Sequence, residues 1–428
     1  MRTRRNLLAA VGTGVLGGLA GCAGLLEADS DSEPDIDVDD FQGWTPPNPG
    51  TTTRLPVTLA EDTWATHRTR ARTLFQSVPE NPSIPNGVVN AELSSDRAKL
   101  RTELESGRDE GQPLDRLDHW RRVRADVANL RGAYRAASGH DDAESVARRR
   151  GTSRDRLAAL RSGIEYRARD ALEAVLVYAP IEDRFDEASR ETRPVVGYPE
   201  APLSNVEQAG TAVESVESAA ASLDDAEAIH AQYLEDLATA EPQWNRLLRT
   251  VEELDYTVDR TWSERVDFLE ADAKSRYGTA LRGVQADLHR LAIREVRYRE
   301  DDIRDHERDG RPATAVLEAG RTLASIVVAD AVDAGLQNGR IAESPTECSL
   351  RTAAQNAVAA LESLLEQSHP HLAVAVGVPA LNGYRSAVHH LGTSYYGVEY
   401  IESQFRFARL FASAAGRVTP FVATRLQQ

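Results

Sequence analysis

Residues 244–291 read WNRLLRTVEELDYTVDRTWSERVDFLEADAKSRYGTALRGVQADLHRL, and this stretch decides the fold class. Its apolar residues recur at intervals of three and four positions, beginning with Trp244 and Leu247. Such spacing places them along one face of an α-helix. No proline interrupts residues 243–311, so the pattern fits either one long helix or two helices divided near Thr261.

The same spacing begins earlier, at Val206, and continues through Val213, Val216 and Leu223. The link Thr239–Glu241 between the two stretches is short, and short links typically join antiparallel helices. No set of period-2 alternations indicates a sheet. The sequence therefore predicts an all-α fold: a multi-helix bundle with a long antiparallel coiled-coil-like hairpin in the middle of the chain.

These signals divide the chain into five predicted segments. They are a signal peptide (1–21), a lipidated cysteine with a disordered acidic tether (22–55), an N-terminal helical region (56–193), the long hairpin (203–310) and a C-terminal helical region (311–428). The tether prediction rests on composition, because eight of the fourteen residues 27–40 are acidic. Such a segment cannot bury enough apolar surface to offset its ordering entropy. Within the C-terminal region, residues 323–332 are apolar on most sides, which predicts a buried central helix.

The N-terminus contains the pair Arg4 and Arg5, then an apolar run, then Leu19-Ala20-Gly21-Cys22. This arrangement resembles the twin-arginine export signal and lipobox of haloarchaeal lipoproteins. The resemblance covers the signal alone and implies cleavage before Cys22, lipidation of that cysteine, and attachment to the outer face of the cytoplasmic membrane. The apolar run of about 14 residues reaches only ~21 Å, short of the ~30 Å hydrocarbon core. A permanent span is therefore not expected, and the alternative is an uncleaved N-terminal anchor.

The sequence contains two cysteines, Cys22 and Cys348. Because lipidation would occupy the first of them, the sequence predicts a fold without disulfides. A diacyl anchor binds membranes stably, since each buried methylene contributes ~0.8 kcal/mol.

The composition is acidic and nearly free of lysine: 67 acidic residues accompany 48 arginines and two lysines, for a formal net charge of −17. Removal of residues 1–21 would take away three arginines and shift the net charge to −20. This composition resembles that of proteins from extreme halophiles, in which molar salt screens the repulsion between carboxylates. An acidic surface lacks the counterion-release drive for phosphate binding, so no nucleic-acid partner is predicted. The basic run Arg148–Arg150, with Arg154 and Arg156, is expected to pair with nearby acidic side chains.

Aromatic residues concentrate between residues 384 and 411. The candidate ligand or partner patch there consists of His389, His390, Tyr395, Tyr396 and Tyr400. The alternative is that this region forms one wide buried helix face. No Walker A, HExxH or paired CxxC motif is present, so no catalytic residue is predicted.

One metal-like pattern, Glu-x-x-His, occurs at Glu227/His230 and again at Glu366/His369. Ferritin-like di-metal bundles use this spacing together with glutamates from two other helices. With ten histidines in 428 residues, chance alone gives about one such spacing, so two copies are unremarkable. Glu227 and His230, which a heptad extended from Val206 places on the apolar seam, are the metal candidates, and no cofactor is predicted.

Three functions are compatible with these observations. The favoured hypothesis is a membrane-anchored extracellular helical lipoprotein that acts as a non-enzymatic binding or scaffold protein of the cell envelope, with a protein partner there. The alternatives are a solute-binding receptor lipoprotein for an importer and a helical-bundle metal-binding protein. Neither the ligand nor the oligomeric state follows from the sequence.

Overall fold

The structure of the protein, a computed structural model, describes residues 38–41, 44–49, 55–106, 112–193, 197–235, 237, 239–265, 273–298, 302–391, 393 and 396–428. Within these ranges the chain forms fifteen α-helices and one pair of two-residue strands. The predicted all-α fold is therefore confirmed. No helix in the described ranges is long and apolar enough to cross a lipid bilayer.

The N-terminal half contains six helices and one short strand. They are α1 (Glu61–Gln76), α2 (Gly87–Ser106), α3 (Pro113–Ala137), α4 (Ala143–Gly163), β1 (Arg167–Ala168), α5 (Ala171–Glu191) and α6 (Val206–Glu235). Helices α3 and α6 lie side by side at its centre. Helices α1 and α2 pack against α3, whereas α4 and α5 pack against α6.

Two glycines allow α3 and α6 to approach closely. A Cβ atom on Gly132 would lie 2.8 Å from Cβ of Val213, and one on Gly210 would lie 2.7 Å from Oδ1 of Asn129. Both distances are shorter than real Cβ contacts, so either side chain would push the helices apart. Trp120 of α3 is fully buried in the core that this contact helps to form.

The C-terminal half contains nine helices, preceded by the second strand. They are β2 (Glu241–Pro242), α7 (Trp244–Ser263), α8 (Ala273–Tyr277), α9 (Gly283–Tyr298), α10 (Asp302–Arg308), α11 (Pro312–Gln337), α12 (Glu347–Ser363), α13 (Pro370–Val376), α14 (Val378–Leu391) and α15 (Val398–Gln427). Helix α15 packs against α9, α11, α12 and α14, and α11 reaches back to contact α5. The predicted burial of residues 323–332 is confirmed, since most of these positions on α11 are buried.

Among the described residues, α6 and α7 do not form the antiparallel hairpin predicted for residues 203–310. Helix α6 packs against α3, α4 and α5, whereas α7 packs mainly against α11. The link between α6 and α7 leads the chain away from α6 and towards β1. There β2 pairs antiparallel with β1, and the amide of Gln243 donates to the carbonyl of Tyr166 at 3.0 Å. The apolar stripe from residue 244 onward is divided among α7, α8 and α9 instead of forming one continuous helix.

Part of the predicted disordered tether is packed onto the C-terminal half. We call residues 38–41 and 44–49 the strap; its first four residues, Val38–Phe41, form one turn of 3-10 helix. The guanidinium of Arg351 on α12 lies 5.7 Å from the ring centroid of Phe41 and 4.9 Å from that of Trp44. The tether prediction is therefore wrong for the strap, and the residues before Val38 lie outside the described ranges.

Cys348, in the first turn of α12, is disulfide-bonded. The predicted absence of disulfides is therefore wrong. The sequence contains one other cysteine, Cys22, which lies outside the described residues. Because one sulfur cannot carry both a lipid thioether and a disulfide, lipidation of Cys22 and a bond between the two cysteines exclude one another.

Candidate functional site

Several predicted functional residues lie outside the described ranges. They are the export and lipidation residues Arg4, Arg5, Leu19, Ala20, Gly21 and Cys22, together with Tyr395 of the aromatic patch. Their roles stay predictions. Within the described ranges, three places contain buried polar groups or cavities that could form a site. They are a charged cluster inside the N-terminal half, the junction between the halves, and the surroundings of α14.

The charged cluster is centred on Glu217 of α6, whose side chain is 1% exposed. Its carboxylate accepts hydrogen bonds from Arg70 of α1 at 2.9 Å and from Arg124 of α3 at 2.8 Å, and it also contacts Arg149 of α4. Burial alone would raise the pKa of Glu217. The hydrogen bond from Arg70 and the charges of Arg124 and Arg149 outweigh burial and lower this pKa to about 2.

A buried histidine and aspartate extend the cluster. Nε2 of His67 lies 2.6 Å from Oδ1 of Asp225, and Nδ1 of His67 lies 3.1 Å from the Arg124 guanidinium. Because arginine only donates, Nδ1 accepts and Nε2 carries the proton that is donated to Asp225. Nε of Arg121 and Nε of Arg184 each lie 3.4 Å from the other oxygen of Asp225. Both ring nitrogens of His67 are thus engaged within the protein.

The predicted pairing of the basic run with acidic side chains is confirmed for Arg149 and Arg156. Arg149 contacts Glu217, and Arg156 donates to Asp224 at 2.7 Å and to Glu227 at 2.6 Å. The arginines and the carboxylates of the cluster therefore form ion pairs with one another. This arrangement ties five helices together, α1, α3, α4, α5 and α6, and is structural, since its charges point at each other and not into a cleft.

Replacement of Glu217 by alanine is expected to lower the free energy of unfolding by about 3–5 kcal/mol, because three guanidinium groups lose their shared buried partner. Urea denaturation at constant molar salt, followed by circular dichroism, measures this loss. Glu207→Ala, on the exposed first turn of the same helix, serves as the control and is expected to cost less than about 1 kcal/mol. Equal effects of the two substitutions would contradict a structural role for the cluster.

The same carboxylate predicts an acid-sensitive stability. The pKa of Glu217 is lower in the folded protein than the ordinary value of 4.5, so its contribution is complete above that value. This contribution is lost as the pH falls from 4.5 towards about 2, where the folded carboxylate takes up its proton. Unfolding free energies measured across this window should therefore decline less steeply in Glu217→Ala than in the unaltered protein.

The metal candidates Glu227 and His230 do not converge on one point. Glu227 is exposed and bonded to Arg156 at 2.6 Å, whereas the ring of His230 lies 6.0 Å from that of Tyr178, where burial lowers the pKa of the imidazole. No group of three or more His, Cys, Asp or Glu side chains in the described part of the chain is arranged to hold a metal ion. The structure therefore does not assemble a di-metal site around this pair.

Glu182 of α5 joins the two halves. Its side chain is 1% exposed and accepts hydrogen bonds from the Tyr166 hydroxyl at 2.8 Å, from the amide of Ala313 at 3.1 Å and from the amide of Thr314 at 2.6 Å. The two amides belong to the first turn of α11, so Glu182 acts as a helix cap supplied by another helix. Burial raises the pKa of Glu182 to about 7.

Glu182→Gln is expected to remove one component of the pH dependence of stability. Because the pKa of Glu182 is higher in the folded protein, its favourable contribution is complete below the ordinary value of 4.5 and is lost as the pH rises towards about 7. Glutamine does not titrate, so the stability of this variant should be flatter over that range. Glu182→Ala should cost about 2–4 kcal/mol, since two buried amides lose their acceptor. Equal pH profiles for Glu182→Gln and the unaltered protein would contradict this assignment.

The structure brings together four of the five residues of the predicted aromatic patch. The ring of His390 lies 4.2 Å from that of Tyr396 and 5.7 Å from that of Tyr400, and the two tyrosines stack at 4.6 Å. His389 lies 5.3 Å from His390. The alternative prediction, a buried helix face, is confirmed for the aromatic residues that follow on α15. Three of them are buried: Phe405, Phe407 and Phe411.

A cavity of about 320 Å³ lies between the strap, the start of α3 and helices α12 to α14; we call it the interhalf cavity. Its wall is mainly aliphatic: Leu361, Leu364, Leu365, Val374, Leu381 and Val388. Gly377, between α13 and α14, allows this wall to close, because a Cβ atom there would lie 2.7 Å from Cδ1 of Leu364.

Polar groups lie at the rim of the interhalf cavity. Arg385 of α14 donates to Asp115 of α3 at 3.2 Å, which joins the two halves above the aliphatic wall. His389, one turn further along α14, and Asn48 of the strap also line the cavity. The sequence singled out His389 but missed Arg385 and Asp115. No local pattern marks them, because they are 270 residues apart.

A second, more polar cavity of about 380 Å³ lies on the other side of α14. Tyr400 lines it, and its hydroxyl accepts a hydrogen bond from Gln404 at 2.8 Å. Arg321, also in its wall, contacts Glu318 and donates to the carbonyl of Ala375 at 2.9 Å. These polar side chains bond to one another, whereas the interhalf cavity offers an aliphatic wall. The four described residues of the predicted patch adjoin one another, but His389 lines the interhalf cavity whereas Tyr400 lines this second cavity.

Comparison with known families divides the chain between α6 and α7. Residues 62–239 match a domain of unknown function, DUF8262, and residues 244–424 match another, DUF8264. The matched ranges correspond to α1–α6 and to α7–α15, and β2 lies between them. No curated protein and no solved structure matches the chain. The chain is therefore similar to two domain families whose descriptions state no activity.

Proposed function

We propose that the mature protein is a lipid-anchored, extracellular binding protein of the cell envelope and is not an enzyme. In this form the sulfur of Cys22 carries the lipid and is not bonded to Cys348, so the proposal and a Cys22–Cys348 disulfide exclude one another. The N-terminal resemblance to exported lipoproteins supports the location. The observation that carries the binding role is the interhalf cavity, whose aliphatic wall belongs to the C-terminal half and whose polar rim includes Asp115 of the N-terminal half and Asn48 of the strap. Apolar cavities with a few polar groups at domain interfaces are the usual form of ligand sites.

The strap limits how far the body can lie from its anchor. Val38 lies sixteen positions after Cys22, and at ~3.3–3.6 Å per residue this stretch spans at most about 58 Å. Because the strap packs beside the interhalf cavity, the cavity would be held within that distance of the membrane. This placement suits a protein that presents or captures a ligand next to a membrane partner.

A solute-binding receptor for an importer is the second candidate, and the position of the cavity favours it. Solute receptors bind their cargo between two lobes, and the interhalf cavity is lined by residues from both halves. Crosslinking in intact cells separates the two candidates. A membrane permease as the crosslinked partner would favour the receptor, whereas a different envelope protein would favour the scaffold.

Protease added to intact cells tests the location. The proposal predicts that the membrane-associated protein is degraded without lysis, while a cytoplasmic marker in the same cells survives. Complete protection of the protein until the cells are lysed would contradict an extracellular location. The comparison must be made in molar salt, which keeps both cells and protein intact.

A further inference from the structure

We infer that the interhalf cavity binds a small, largely apolar molecule that carries one anionic group, and that the strap forms one wall of this site. The inference deepens the proposed function, on which it rests, by naming the ligand class. Four features carry it: the size of the cavity, the chemistry of its wall, the arginine at its rim and the attachment of the strap.

The volume restricts the ligand to a compact molecule. Ligand pockets measure ~300–1,000 Å³, and the interhalf cavity, at about 320 Å³, lies at the lower limit. A compact molecule of two or three rings or a short branched chain fits this volume, whereas a two-chain lipid does not. The wall supports an apolar body, because six aliphatic side chains and the buried Tyr384 line it. The Tyr384 hydroxyl donates to the strap carbonyl of Pro47, which leaves mainly the ring to face a ligand.

The rim supports one negative charge on the ligand. Arg385 carries five N–H donors, its bond to Asp115 uses one of them, and the side chain is 54% exposed. A carboxylate or sulfonate above the aliphatic wall would accept from the remaining face of this guanidinium. His389 lines the same rim and offers a second donor. Asp115 would repel a second negative group, so a monoanion fits better than a dianion.

The strap couples ligand binding to the segment that leads to the anchor. Asn48 and Pro49 line the cavity, while Trp44 fixes the strap through its contacts with Arg351 and Phe41. Trp44 does not line the cavity itself. A ligand that touches the docked strap binds this state more tightly, so loosening the strap should weaken ligand binding.

Two fluorescent probes test the inference with the purified, full mature chain in molar salt. One is 1-anilinonaphthalene-8-sulfonate, which has an aromatic body and one sulfonate; the other is N-phenyl-1-naphthylamine, its uncharged analogue. We expect saturable binding of the sulfonate at one site. Val388→Trp, which fills the cavity, should weaken it at least about tenfold. Val88→Trp, at a position that is 75% exposed on α2, is the control and should not change it.

Two further variants test the charge and the strap. Arg385→Ala should weaken the sulfonate at least about tenfold and change the uncharged probe by less than about twofold. Trp44→Ala should weaken both probes several-fold while the helical circular dichroism is retained. The ligand site is overturned if Val388→Trp binds the sulfonate as the unaltered protein does, or if binding does not saturate. An unchanged affinity in Arg385→Ala overturns the anionic preference, and one in Trp44→Ala overturns the strap wall.

These results are separable from the anchoring experiment. A protein that binds the sulfonate as described but resides in the cytoplasm would refute the proposed location and leave the site intact. A protein that is anchored outside the cell but does not bind either probe would refute the site alone.

Discussion

Cys22→Ser is expected to abolish stable membrane attachment. In the unaltered protein, two lipid chains on the cysteine would hold the body, with each buried methylene contributing ~0.8 kcal/mol. Without them, the N-terminal apolar run of about 14 residues is too short to span the ~30 Å hydrocarbon core. The described part of the chain supplies no spanning helix in its place. The measurement is the fraction of protein that sediments with membranes and partitions into detergent.

Cys348→Ser provides a matched control, because it removes the only other cysteine and leaves the lipobox intact. This variant should remain with the membrane fraction to the same extent as the unaltered protein. If Cys22→Ser also remained there, the protein would be held by an uncleaved N-terminal anchor. If both serine variants were released, attachment would depend on Cys348 as well, and a lipid on Cys22 alone would not account for it.

Dilution from molar salt into low-salt buffer is expected to unfold the protein. The mature chain would carry a net charge of −20, and the Debye length grows from ~3 Å at 1 M to ~30 Å at 0.01 M. Repulsion between surface carboxylates, screened in brine, then acts over the whole body. The buried cluster around Glu217 does not offset this, because its charges are already paired inside the bundle. Circular dichroism during stepwise dilution measures the loss of helix.

Screening of charge repulsion by salt can be distinguished from a general stabilising effect of solutes. Potassium chloride and sodium chloride should restore the helical signal at matched ionic strength, whereas sucrose at equal osmolarity should restore much less. A full helical signal in dilute buffer would mean that the acidic composition is not an adaptation to salt. Restoration by sucrose alone would likewise contradict charge screening.

The fold class could be predicted because helix burial is a local pattern. Leu247, Val251, Leu254 and Val258 recur at three- and four-residue intervals, and all four are buried on one face of α7. The pattern states that a face is buried but not which helix covers it. The hairpin prediction failed for this reason. Helix α7 is covered by α11, and the two-residue pairing of β2 with β1 that redirects the chain has no recognisable signal.

The strap was missed because average composition conceals individual aromatic side chains. Phe41 and Trp44 lie at the edge of an acidic segment, and their docking depends on Arg351, some 300 residues away. The candidate site could be predicted only where its residues are close in sequence. The rings of His389 and His390, at the end of α14, lie near those of Tyr396 and Tyr400 because all four residues are close in sequence. Contacts between distant segments, such as Arg385 with Asp115, depend on the packing of the two halves and could not be foreseen.

Intact and peptide mass spectrometry of the protein purified from cell membranes tests the anchor most directly. The account predicts a mature chain whose first residue is Cys22, with the mass of a lipid thioether on that residue. A chain that still begins at Met1, or a Cys22 found unmodified or joined to Cys348, would contradict it.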